Sequence, residues 1–224
     1  MKVMVYVEGP SDKAAMYALL APLLERKRQE GVTIGFFESP EGDKKASVLM
    51  KVPKKAVNIL LNDPDSIVIA MPDLYPKDRG FPHTTVDELV KGIIKNFEEA
   101  LRSKTARRNG RLKERFRVFC FKHDLEALIL TAEDSLKNRL GIRSLPVSWR
   151  IPVEDQDHDR PPKRVVEDLF RKYGKRYKEV VDAPLILAAC NYQNIADRCP
   201  QCFKPFVEFL AGIRRKPGKG KPGS

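Results

Sequence analysis

The chain has 224 residues, 42% of them hydrophobic and 32% charged, which excludes a disordered protein and bounds it to one globular domain or one with an appendage. No apolar run approaches the ~20 residues needed to cross a bilayer, and the first residues lack a signal-peptide pattern, so a cytoplasmic protein with no membrane partner is expected. Forty-two Lys and Arg against 30 Asp and Glu leave a formal charge of +12, favouring a polyanionic partner, with nucleic acid ahead of a membrane surface.

Lys2 to Val7 is an apolar strand that runs straight into Glu8, a Gly9-Pro10 break and a Ser11-Asp12 helix start. Glu8 is thereby placed at the carboxyl end of a strand, the edge where ligands bind in open α/β sheets. Asp12 follows the Gly9 turn by three residues, so the two carboxylates can converge on one point. Converging carboxylates repel unless a proton or a hard cation lies between them, and Mg2+ or Mn2+ takes such oxygen ligands. The same residues also suit a plain helix start, with Ser11 as the N-cap and Asp12 at the positive end of the helix dipole.

Asp12 to Arg28 carries a helical apolar pattern, followed by a strand over 32–38 and a Pro-Glu-Gly-Asp turn at 40–43. Lys45 to Leu61 reads as helix with Pro53 as a kink or break. Ser66 to Met71 is a fully apolar strand of the kind found inside a parallel sheet, and it hands Asp73 to a loop. Thr84 or Thr85 caps a helix to about Ser103, a basic connection follows, and Phe116 to Phe121 is β-rich. His123-Asp124-Leu125-Glu126 then opens an apolar helix to about Leu140. Trp149 to Val153 reads as a further strand, and Glu154 to Asp159 as a solvated acidic loop before Pro161-Pro162. Helices are expected over about 162–173, 183–196 and 200–212, and the Lys-, Gly- and Pro-rich end from Arg214 as disordered.

Alternation of strand and helix over the first 140 residues predicts an α/β fold with a parallel sheet flanked by helices. The expected organisation is an α/β core over 1–145, a mainly helical part over 146–212 packed on it, and a disordered basic tail over 213–224. Parallel strands share one carboxyl edge, so Glu8, Asp12, Asp73, Asp124 and Glu126 gather there. In a protein of charge +12 such an acidic cluster is costly unless cations bind it. Two divalent ions held by such acids can activate a water and stabilise both oxygens of a phosphodiester displacement. Arg102 to Arg117 carries eight basic residues against Glu114 alone, and Lys163 to Lys178 carries seven against two acids. Arg107, Arg108, Arg111, Lys163 and Arg164 are the expected nucleic-acid contacts, although charge runs also form ordinary solvated faces.

The four cysteines include one Cys-x-x-Cys pair, Cys199 and Cys202. A structural zinc site needs two further ligands, so reduced, partly buried thiols are the reading here and zinc is not expected. His123, beside a helix start, is read as a capping or packing residue ahead of a metal ligand.

At these residues the chain resembles the Toprim superfamily of topoisomerases, primases and overcoming-lysogenization-defect (OLD) nucleases. Val7-Glu8-Gly9-Pro10-Ser11-Asp12 looks like the nuclease form of the Glu-Gly motif, in which an acid four residues after the Glu helps bind metal. His123 to Leu128 is similar to the segment that supplies second-metal ligands in those nucleases. Lys163-Arg164 lies where they often place a basic active-site residue. A closer resemblance is to a Toprim-like, DUF4276-like family of unknown function, often encoded beside ATPases of phage-defence type. Asp73-Leu74-Tyr75 with Phe81-Pro82, His123 to Leu128, Pro162-Lys163-Arg164 and Cys199-Pro200 carry it in order. The resemblance spans about residues 3 to 210 and implies a Toprim-like Rossmannoid sheet with a helical carboxyl-terminal extension. It departs from the superfamily in having Tyr75 where a second Asp is usual, and a phenol of pKa ~10 is a poor ligand for a hard metal.

Two functional expectations follow. The first is a metal-dependent nuclease or nuclease subunit, in phage defence with an ATPase partner. In it Glu8, Asp73 and Lys163 are catalytic, and Glu8, Asp12, Asp73, Asp124 and Glu126 hold Mg2+ or Mn2+. The second is a non-catalytic Toprim-like module that binds nucleic acid or an ATPase.

Overall fold

A computed structural model of the protein describes residues 1–39, 44–75, 81, 83–105, 110–156 and 159–215. Four parallel strands form one sheet in the order β2-β1-β3-β4: β1 (Lys2–Val7), β2 (Thr33–Glu38), β3 (Ser66–Met71) and β4 (Phe116–Val118). β1 and β3 are central, and they are the most uniformly apolar runs of the chain because both their faces are covered. Side-chain alternation divides them cleanly. Val3, Val5, Val7, Ile69 and Met71 join one buried cluster, whereas Tyr6, Val68 and Ala70 join the other.

The first cluster is completed by α1 (Pro10–Gln29) and by helices from the last hundred residues. These are α6 (Glu126–Thr131), α7 (Glu133–Leu140), α8 (Pro162–Lys172), α9 (Glu179–Ala188), α10 (Tyr192–Arg198) and α11 (Phe203–Gly212). The second cluster is formed with α3 (Val52–Asn62) and α4 (Val86–Lys104). The short α2 (Lys44–Ala46) leads into α3, and α5 (Gly110–Lys113) precedes β4. The expected α/β fold, a parallel sheet flanked by helices with a helical carboxyl-terminal part, is the fold observed. No helix of the described residues is long and apolar enough to cross a membrane.

Several boundaries differ from expectation for identifiable reasons. Pro53 does not break its helix, because a single π turn, Ser47–Lys51, joins α2 to α3. The proline has no N–H for the carbonyl of Leu49, and Asn96 Nδ2 of α4 donates to that oxygen instead at 3.2 Å. The helix expected through Leu140 is interrupted at Ala132, whose backbone (φ −89°, ψ 46°) leaves the helical region. The helix expected over 183–196 is two helices, since Asn191 caps α10 by accepting the N–H of Gln193 at 2.8 Å.

Trp149 to Val153 is not a strand. The N–H of Arg150 donates to Gln156 Oε1 at 3.0 Å, and Pro152 has none to give. Glu154 is not a solvated loop acid either. It is 3% exposed and accepts the N–H groups of Gln201 (2.7 Å), Cys202 (2.8 Å) and Phe203 (3.4 Å), the otherwise unpaired donors at the start of α11. That helix accordingly begins at Phe203, and Asp155 of the same patch pairs with Lys122. The turn at 40–43 and the basic tail from 216 lie outside the described residues.

Candidate functional site

Glu8, at the end of β1, accepts the backbone N–H of Asp73, just past β3, on its Oε1 at 3.0 Å. One carboxylate thus ties together the ends of the two central strands. Asp12 Oδ2 accepts the N–H of Gly9 at 2.9 Å, so Asp12 does cap the first turn of α1 and in doing so is held at the strand end. The Asp73 loop is fixed on both flanks. Asp73 bridges to Phe121, Leu74 N–H donates to Phe121 O (2.7 Å), and Phe121 N–H donates to Pro72 O (3.1 Å). The Leu74 carbonyl accepts from the buried Lys45 Nζ at 3.1 Å and also meets His83 Nε2 at 3.1 Å. Phe81 packs its ring over Gly92 of α4, where any side chain would collide with it.

Burial, then the charges of Glu8, Asp12 and Asp124, hold the Asp73 carboxyl well above the usual carboxylate range, with Lys45 opposing them. Glu8, Asp12 and Asp124 therefore lie within electrostatic reach of Asp73. Lys45 is a participant the sequence did not flag, the second of two adjacent lysines after a turn with no motif around them.

Asp124 and Glu126 form the second half of the site. Burial pushes the Asp124 carboxyl up to about 6 against the pull of the Lys163 ammonium. Burial, followed by the charges of Asp124 and Glu179, pushes Glu126 up to about 8. Glu126 has no exposed surface, and its Oε1 accepts the Tyr177 hydroxyl at 2.8 Å. Its Oε2 and Asp124 Oδ1 are buried without a hydrogen-bond partner among the described residues. The raised Glu126 carboxyl keeps a proton it can share with neighbouring Asp124, and the Lys163 ammonium attracts both, which offsets part of the cost of burying these oxygens.

Lys163, in the first turn of α8, donates to Glu179 Oε2 at 2.5 Å, and Ser11 donates to Glu179 Oε1 at 2.6 Å. Burial acts to lower the Lys163 pKa, but the hydrogen bond to Glu179 and the charges of Glu126, Glu179 and Asp124 outweigh it and raise the pKa, so the ammonium persists. Glu179 thus joins the site from 168 residues beyond Ser11. Nothing in the sequence marked it, since an acid at a helix start is among the commonest of patterns.

The expected nucleic-acid contacts divide. Arg164 is exposed on α8 next to Lys163, at the site. Arg111 is exposed on α5, which leads into β4 at the opposite, amino-terminal edge of the sheet. Arg115 of the same stretch marks that edge, because its guanidinium donates to the carbonyls of Leu60, Asp63 and Ser66 at the start of β3. A strand of six residues, roughly 20 Å long, separates Arg111 from the acids. Arg107 and Arg108 lie outside the described residues.

His123 is buried and stacked on Tyr75 at 5.6 Å between ring centroids, the packing role. Among the described residues no three His, Cys, Asp or Glu groups stand close enough together to hold an ion. Cys199 and Cys202 are buried, and Cys202 Sγ lies 3.9 Å from the buried Cys120 Sγ. The Cys202 contact, then burial, raises the Cys120 pKa, and burial raises that of Cys199.

A parallel α/β domain with buried acids at the carboxyl edge of its sheet is the class these observations define. The chain belongs to the family described as a domain of unknown function (DUF4276), whose model matches residues 7–211. It is similar in structure to the C-terminal region of the Burkholderia pseudomallei OLD protein, at 15% identity and a TM-score of 0.45, covering 93% of this chain and 96% of that one. The C-terminal region of the Xanthomonas campestris pv. campestris OLD protein is similar at 15% identity and a TM-score of 0.44, covering 93% and 94%. No curated protein matched the chain.

Proposed function

We propose that this protein is a Toprim-like, divalent-metal-dependent nuclease or nuclease subunit that hydrolyses nucleic-acid phosphodiesters with Mg2+ or Mn2+. The observation that carries the reading is the pair of buried, unpartnered oxygens on Asp124 and Glu126 beside the acid cluster of Glu8, Asp12 and Asp73. A hard cation offsets both the repulsion and the missing hydrogen bonds, and its oxygen preference matches the donors present. Glu8, Asp12, Asp73, Asp124 and Glu126 would hold it. When bound, such an ion supplies an activated water and stabilises the oxygens of the phosphodiester. The chain's own contribution is then positional. Glu8 and Asp73 stand on rigid strand ends, Lys163 presents an ammonium to the phosphate, and Arg164 extends the basic surface along the backbone. The resemblance in motif order to a family often encoded beside ATPases extends the proposal to a place in phage defence with an ATPase partner.

Titration of Mn2+ and Mg2+ into the purified full chain by calorimetry, with Asp73→Ala alongside, tests this. Saturable binding that the variant loses, followed by EDTA-sensitive cleavage of nucleic acid, is expected. If neither protein binds at millimolar metal, the nuclease reading goes.

The stack of Tyr75 on His123 favours a second reading, because it places an aromatic pair where a further ligand would serve catalysis. The protein would then be a non-catalytic module that binds nucleic acid or an ATPase. Salt would weaken its nucleic-acid binding and EDTA would change little.

A further inference from the structure

The segment Tyr177-Lys178-Glu179 touches the site at two separate points, and no part of the proposed function assigns it a role. Tyr177 donates its hydroxyl to Glu126 Oε1 at 2.8 Å, and its ring packs on Phe170 of α8 with centroids 5.1 Å apart. Two residues on, Glu179 bridges Ser11 of α1 and Lys163 of α8. Between them, the N–H of Lys178 is taken by Asp182 Oδ2 at 2.6 Å, and Asp182 Oδ1 is gripped by Arg139 at 2.6 and 2.8 Å. The segment is therefore anchored in its own right and does not depend on the acids it touches.

The geometry at Glu126 is selective. With Oε1 engaged by the phenol, the carboxylate cannot rotate freely, and Oε2 is left as the buried oxygen without a partner among the described residues. Groups that hydrogen-bond a ligating carboxylate fix its orientation, and their removal typically costs 10–100-fold in metal affinity. We propose that Tyr177 and Glu179 are positioning residues of the metal site, Tyr177 fixing which oxygen of Glu126 is offered to the cation and Glu179 fixing Lys163 beside it. This inference rests on the metal-dependent reading given above.

Calorimetric titration of Mn2+ into the wild type, Tyr177→Phe and Phe170→Leu, each checked by circular dichroism and thermal melting, tests it. Tyr177→Phe keeps the ring and loses only the hydroxyl, and roughly tenfold or greater weakening of Mn2+ binding with an intact fold is expected. Phe170→Leu loosens the same packing but keeps the hydroxyl, and wild-type affinity is expected. Equal affinity in Tyr177→Phe and the wild type overturns the proposal while leaving the metal site standing. Equal weakening by both variants also overturns it, since the role would then be packing. Absence of Mn2+ binding by the wild type sinks this proposal and the nuclease reading together. Should Tyr177→Phe fail to fold, Glu179→Gln serves in its place. Against a short oligonucleotide at saturating Mn2+, a rise in KM with little change in kcat is then expected, and a wild-type KM overturns the assignment.

Discussion

The carboxylate of Glu8 accepts the backbone N–H of Asp73 at 3.0 Å, so an acid proposed for chemistry also joins the ends of the two central strands. Structural and chemical duties can be separated there by substitution. Glu8→Gln keeps an oxygen for the Asp73 N–H but removes the charge, whereas Glu8→Ala removes both. We expect Glu8→Gln to melt within about 1 kcal/mol of the wild type and Glu8→Ala to lose about 1–3 kcal/mol more, the cost of an unpaired buried donor. Both should lose metal-dependent cleavage. Chemical denaturation alongside a cleavage assay reads the two effects independently.

Stability should depend on pH through Glu126. Its carboxyl is raised to about 8 from the ordinary 4.5, so between those values the native state holds a proton that the unfolded chain has released. Stability therefore falls as pH rises through that window, and the penalty is complete above pH 8. Glu126→Gln, which cannot ionise, should flatten the profile and stabilise the metal-free protein at pH 8 by an amount on the order of a few kcal/mol. Urea melts at pH 5, 6.5 and 8 test this, and a parallel decline in both proteins would refute it.

Metal binding runs in the opposite sense. An ion that displaces the protons of Asp124 and Glu126 binds more tightly as pH rises from 6 to 8, and it releases protons. Calorimetry in buffers of different ionisation enthalpy counts those protons. A pH-independent affinity would remove both residues from the ligand set.

The two basic surfaces should behave differently. Arg164→Glu, beside Lys163, should weaken nucleic-acid binding and reduce its salt dependence. Arg111→Glu, at the far edge of the sheet, should leave cleavage of a short oligonucleotide unchanged, because such a substrate cannot span the sheet. Fluorescence anisotropy over a salt series distinguishes them.

Glu154 should prove important to stability although it is remote from the proposed chemistry. Glu154→Ala strands three N–H groups at the start of α11, and a loss of about 2 kcal/mol in a thermal or urea melt is expected.

The fold was legible where the physics is one-dimensional. β1 and β3 are apolar after their first residues because both faces are covered, and the acid following each could be placed on the sheet edge from order alone. What stayed hidden depends on partners distant in the chain. Glu179 and Tyr177 acquire meaning only when α9 meets α1 and α8. Lys45 matters only because the Asp73 loop lies against it. Glu154 looked solvated because its three donors are some 47 to 49 residues away. Pro53 looked disruptive because the amide that compensates it belongs to Asn96. Trp149 to Val153 has strand composition, but its backbone donor is claimed by a side chain of its own loop.

The bridge from Ser11 to Glu179 closes a separation of 168 residues. Contacts of such separation close late, because the loop entropy must be met before they form. A nascent chain still lacking α8 and α9 has every strand of the sheet, yet neither Lys163 nor the groups that orient Glu126. The acids at the strand ends can therefore stand in place while Lys163 and Tyr177 are still undocked, which makes completion of the candidate site a later folding event than formation of the sheet.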